Sequence, residues 1–195
     1  MSNAYLWYAT RGAGAVSLIL LSAVTVLGIL SASRYEAPGW PRFVTTGFHR
    51  NLSLLAVVFL ALHIVTAVVD PYTSLGWTTV LIPFTSSYRT LWLGLGTVAF
   101  DLLLAILATS LLRRFIGQPV WRGVHWLAYA CWPIAVLHGL GTGTDAWSFW
   151  LLVIQSACVL AVVTAIIARL TMAPVDPLAA ERANFRDSTR RGDGR

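Results

Sequence analysis

The sequence predicts an all-α membrane protein: a five-helix transmembrane bundle with its N-terminus outside and its C-terminus in the cytoplasm. Three observations lead there. The chain of 195 residues is 57% hydrophobic and only 11% charged, where a soluble domain carries about 25% charged residues. Its apolar residues are gathered into long blocks separated by arginine-bearing segments. All four histidines, His49, His63, His125 and His138, lie inside these blocks or at their ends.

The first block, about 12–31, is too long for a signal-peptide core and lacks a basic leader, so a retained span is expected. Further spans are expected at about 49–69, 91–112, 124–140 and 149–170. Each approaches the roughly 20 residues that cross the hydrocarbon core. In lipid each must be a helix, because every backbone group needs an internal partner. The segment 76–84, GWTTVLIPF, is too short to cross and contains Pro83, which predicts a surface segment on the outer side. The tail, 172–195, is rich in Arg, Asp, Pro and Ala without apolar periodicity, as expected for a disordered basic extension of a 1–171 membrane domain.

Orientation follows from the cations. All 14 basic residues are arginine. The first loop holds Arg34, Arg42 and Arg50, the third Arg113, Arg114 and Arg122, and six more lie from Arg169 onward. The second loop has only Arg89 and the fourth none, and these loops carry Asp70 and Asp145. Cytoplasmic loops collect the positive charge, which sets the first loop, third loop and tail inside. Arg11 is the exception, on the outer side. The net charge of +6 suits anionic lipid headgroups; the arginines form no continuous face and carry no nucleic-acid motif. Cys131 and Cys158 lack CxxC spacing and read as buried free thiols.

Histidine within a membrane segment is costly and marks function by default. His49 and His63 share the second span; His125 and His138 share the fourth. Both spans run from inside to outside, so His49 and His125 enter at the cytoplasmic end and His63 and His138 lie toward the outer end. Each pair is separated by about 20 Å of helix. Two haems stacked across the bilayer are the expected cofactors, each iron held by two imidazoles. The helical phase is good for the first pair: fourteen steps return to within about 40° of the starting face. Thirteen steps miss by about 140°, and Pro133 between the second pair offers a kink that could re-aim His138. No carboxylate stands within a turn of any histidine, which disfavours a zinc or manganese site.

The spacings His49-x13-His63 and His125-x12-His138 resemble the paired-haem signature of the ferric reductase-like transmembrane domain. That family includes ferric reductases, NADPH oxidases and the haem-bearing membrane subunit of the methionine sulfoxide reductase system. The resemblance covers about 10–170. It implies that His49 and His125 hold an inner haem b and His63 and His138 an outer one. It also implies that Arg11, in an R-x-x-G motif, serves the outer propionates. Arg50 and Arg122 are the matching candidates for the inner propionates, because arginine pairs well with carboxylates. The implied function is a transmembrane oxidoreductase of the cell membrane. It would carry electrons from a cytoplasmic flavoprotein (through its FAD) or a membrane quinol to ferric iron or an outer redox partner.

Ala67 stands where oxygen-reducing relatives carry a further histidine, which weighs against a dedicated superoxide producer. Cys131 and Trp132 occupy the stretch between the two haem levels. Asp101 lies mid-span in the third helix. It would either take up a proton or hydrogen-bond to a neighbouring Ser or Thr; in the alternative reading, it and the arginines line the path of a non-redox transporter. The run GLGTGTD at 139–145 has no βαβ context. Its small residues, with Tyr72, Tyr88 and Arg89, could border the outer haem edge, and Gly94 and Gly96 are expected to let helices pack closely.

Overall fold

The computed structural model describes residues 4–32, 42–71, 73, 75–143 and 145–171. The tail at 172–195, Arg34 and Tyr72 lie outside the described residues. Among the described residues the fold is wholly helical: α1 Ala4–Ala32, α2 Arg42–Val69, α3 Thr78–Leu81, α4 Thr90–Leu111, α5 Arg113–Ile116, α6 Gln118–His125, α7 Ala128–Thr142 and α8 Phe149–Thr171. Four of these, α1, α2, α4 and α8, are long and apolar enough to cross a membrane.

The apolar blocks form helices because nothing interrupts them, and their hydroxyls stay inside the same helices. Ser17, Ser22, Thr25, Ser53 and Thr66 each donate to the carbonyl four residues earlier, at 2.6–2.8 Å. Such bonds satisfy a side chain that has no water to turn to. Large apolar residues then face outward: Leu54, Val58, Leu62 and Val65 form an exposed stripe along α2. In water such a stripe would be a liability; against acyl chains it is a solvated surface.

α1 lies antiparallel to α2 and also packs on α7 and α8, while α4 packs on α6 and α7. Ile29, Val162 and Ala165 form the tightest part of the core, with Val26 and Trp132 against them. Trp132 donates its indole N–H to Ser22 at 2.9 Å, tying α7 to α1. Cys131 and Cys158 are buried free thiols.

One sequence-based expectation needs revision. The expected fourth span, 124–140, is not one helix: it is divided between α6 and α7. At the break, Leu127, Tyr129 and Ala130 donate to carbonyls only three residues earlier. Such tight turns wind the chain by about 120° per residue instead of 100°. Over roughly six residues this recovers about 120° of the phase that the thirteen-residue spacing lacks. Pro133 lies inside α7, which continues through it.

The segment at 76–84 is tied to the bundle. Its short helix α3 folds back on α4, where the Thr97 hydroxyl donates to the Thr79 carbonyl at 2.8 Å. The Phe84 ring occupies the space where Gly94 has no side chain.

Candidate histidine-pair site

The structure brings the four histidines together in the combination expected from their depths. His49 stands beside His125 with ring centroids 6.1 Å apart. His63 stands beside His138 at 6.3 Å. With a metal–imidazole bond of about 2 Å and about 1.1 Å from nitrogen to ring centre, two imidazoles on opposite sides of one metal lie about 6.2 Å apart. Both pairs fit that spacing.

Three of the four rings have their tautomer fixed by a backbone carbonyl. His49 Nδ1 lies 3.1 Å from the Val24 carbonyl, His63 Nδ1 2.8 Å from that of Thr10, and His138 Nδ1 2.8 Å from that of Trp92. A carbonyl can only accept, so each Nδ1 carries the proton and each Nε2 keeps a free lone pair. Such a bond fixes the tautomer and the ring plane of a metal-ligating histidine. His138 has the Thr142 hydroxyl at 3.1 Å as well.

Glycines make room for these rings, a signal that spacing arguments missed. A Cβ on Gly14 would stand 2.9 Å from His63, one on Gly96 2.5 Å from His138, and one on Gly28 3.4 Å from His49. Each glycine lies one turn after the carbonyl that accepts the bond: Thr10 and Gly14, Val24 and Gly28, Trp92 and Gly96. Carbonyl and notch therefore come from the same helical face. The Gly14–Gly28 interval on α1 repeats the His49–His63 interval on α2, so the pattern was present in the sequence.

His125 is the exception. Its Nδ1 is buried with no hydrogen-bond partner among the described residues. Its ring stacks on Trp121 at 5.0 Å and 27°. Trp121 is covered by the Arg113 guanidinium at 4.2 Å and bonds the Ser110 hydroxyl at 3.3 Å.

A cavity between the helices opens onto the outer pair. His63, His138, Arg11, Ala67, Tyr88 and Gln155 are among its lining residues, and Cys131 lies at its depth. Gln155 is buried with its Oε1 unpartnered among the described residues. Arg11 is half-buried beside this pair and forms an ion pair with Asp145 at 2.5 Å. Asp145 as its counter-ion was not legible from sequence. Arg50 and Arg122, the candidates beside the inner pair, are exposed.

The glycines of 139–145 serve the protein's own side chains. Gly141 accommodates Trp92, Gly143 accommodates Arg11, and Gly139 lies against Gln155. Arg89 spans from the start of α4 to the Gly141 carbonyl at 2.5 Å. Asp101 is half-exposed on α4, does not line the cavity, and has no hydrogen bond or ion pair among the described residues. The expected bond from Asp101 to a neighbouring Ser or Thr is therefore not formed.

Among the described residues no group of three or more His, Cys, Asp or Glu side chains converges. Two imidazoles per site are too few to enclose a bare ion, which usually needs four ligands. They suit a metal whose equatorial positions are already filled, as in haem.

Neither a search of curated proteins nor one of solved structures returned a match. A sequence model does match: ferric reductase like transmembrane component, over residues 13–136. The matched stretch contains His49, His63 and His125 and stops two residues before His138. Since it covers more than half of the chain, the protein belongs to the ferric reductase-like transmembrane family, and is a multi-pass membrane protein of a family of transmembrane oxidoreductases.

Proposed function

We propose that the chain is a di-haem b electron carrier that passes electrons across the cell membrane. The observation that carries this reading is the spacing of the two histidine pairs, 6.1 and 6.3 Å between ring centres. α1, α2, α4 and α8 each cross once, and α6 with α7 completes a fifth crossing. The arginine-rich loops then face the cytoplasm and the N-terminus faces out.

When bound, the haem irons supply one-electron redox chemistry. The protein's residues hold and orient them. Nε2 of His49 and His125 would hold the inner haem, and Nε2 of His63 and His138 the outer. The Thr10, Val24 and Trp92 carbonyls hold three of the rings in their planes. Two imidazoles at each site would favour electron transfer over small-ligand chemistry. Arg11, shared with Asp145, is placed to meet an outer propionate; Arg50 and Arg122 are placed for the inner ones. Trp132 and Cys131 lie between the two levels, in the tightly packed part of the bundle.

The donor is a cytoplasmic flavoprotein or a membrane quinol, and the acceptor is ferric iron or an outer redox partner. Reduction of ferric chelates in the presence of a flavin reductase supports the first pairing. Haem reduction by a quinol analogue alone supports the second donor.

The experiment that tests the reading is a dithionite-reduced minus oxidised absorption spectrum with haem quantitation. About two haems per chain are expected in the wild type and about one in His63→Ala. A colourless protein, made with ample haem supply, would refute the reading and return the transporter alternative.

A further inference from the structure

Three histidines donate through Nδ1 to a carbonyl, and His125 has no such partner among the described residues. The cause lies on α4. This helix runs antiparallel to α6 and α7 in a register that joins Arg89 to Gly141, Trp92 to His138, Ala99 to Cys131 and Ser110 to Trp121. The same register sets His125 opposite Ala105 and Ile106. Both carbonyls are already taken by hydroxyls: Thr109 donates to Ala105 at 2.7 Å, and Ser110 donates to Ile106 at 2.7 Å. At the other three histidines the residue one turn after the accepting carbonyl is glycine, which neither fills the space nor competes for the lone pair. Here the Thr109 and Ser110 hydroxyls compete for it.

The ligand's mounting differs as well. His138 lies within α7 and is held by Trp92 and Thr142. His125 is the last residue of the eight-residue helix α6, cut off from α7 by the Trp126–Leu127 turn. The aromatic ring stacked on it, Trp121, belongs to the same short helix.

We propose that the inner histidine pair is openable: on the reduced protein His125 yields its coordination position to a small π-acceptor ligand, such as carbon monoxide or nitric oxide, while the outer pair stays closed. This rests on the di-haem reading above. The step is a ligand exchange. With haem bound, His125 would give up its place on the metal as the neutral ligand takes it, with no electron or proton changing hands. A ligating histidine normally donates its second N–H to an acceptor, and loss of that partner weakens metal binding about 10- to 100-fold. The inner site would therefore respond to dissolved gases, a property the outer site lacks.

The test is a carbon monoxide titration of the full chain, loaded with haem and reduced with dithionite, after haem content has been measured. One of the two haems is expected to form the adduct. Thr109→Gly, which frees the Ala105 carbonyl and restores the pattern of the other sites, is expected to weaken carbon monoxide binding about 10- to 100-fold. Thr109→Ser, which keeps the hydroxyl, is expected to bind as the wild type does. No adduct on a chain carrying two haems, an adduct on both haems, or unchanged affinity in Thr109→Gly would overturn the proposal. A chain without haem would overturn the di-haem reading and the proposal with it, and the haem assay distinguishes that case at the outset.

Discussion

Gly96→Ala is the sharpest single perturbation of the outer site. A Cβ at this position would stand 2.5 Å from Cε1 and Nδ1 of His138. Non-bonded carbons settle at about 3.5 Å or more, so ring and helix must separate by about 1 Å. Metal–ligand distances tolerate only about 0.2 Å. The ring cannot swing away freely, because its Nδ1 is bonded to the Trp92 carbonyl at 2.8 Å. Loss of that bond alone weakens a metal-ligating histidine about 10- to 100-fold, or roughly 1.4–2.7 kcal/mol. Gly28→Ala is a matched control. Its Cβ would meet His49 at 3.4 Å, ordinary van der Waals contact. Gly14→Ala, at 2.9 Å from His63, should fall between them. The assay is haem content per chain after purification, followed by haem-transfer titration for affinity. Gly96→Ala should retain about one haem and Gly28→Ala about two. Two tightly held haems in Gly96→Ala, or equal losses in all three variants, would refute the claim that these glycines seat the histidines.

Two further outcomes are expected. Ser22→Ala leaves the half-buried Trp132 N–H without its 2.9 Å partner and should cost about 1 kcal/mol, read as a lower thermal midpoint in detergent; an unchanged midpoint would remove the α1–α7 tie from the account. Asp101→Leu should raise that midpoint with haem content unchanged, because an unpaired carboxylate at the helix centre costs about 2.5–3.5 kcal/mol in lipid; a lower midpoint would mean that the carboxylate contributes to the packed bundle.

Much of the site was legible because it depends on periodicity along single helices. The depth of each histidine follows from its distance to the block ends, and depth alone predicted that His49 would meet His125 and His63 would meet His138. The long apolar blocks became helices for the same local reason. The division of the fourth expected span was not legible, because overwinding at Trp126–Leu127 is a small change in hydrogen-bond step that composition does not encode. The roles of Gly14, Gly28 and Gly96 were hidden for another reason. A glycine in a membrane helix reads only as permission for close approach; which ring fills the notch depends on the neighbouring helix and its register.

The sequence by itself determined the membrane class, the layering of two histidine levels and the positive-charge bias, since these arise from hydrophobicity, helical rise and charge along one chain. Only the tertiary structure decided which carbonyl each of three histidines meets, that Arg11 is balanced by Asp145, and that His125 has no acceptor among the described residues. Those are relations between helices, set within a fraction of an ångström by antiparallel register, and no single-helix period contains them.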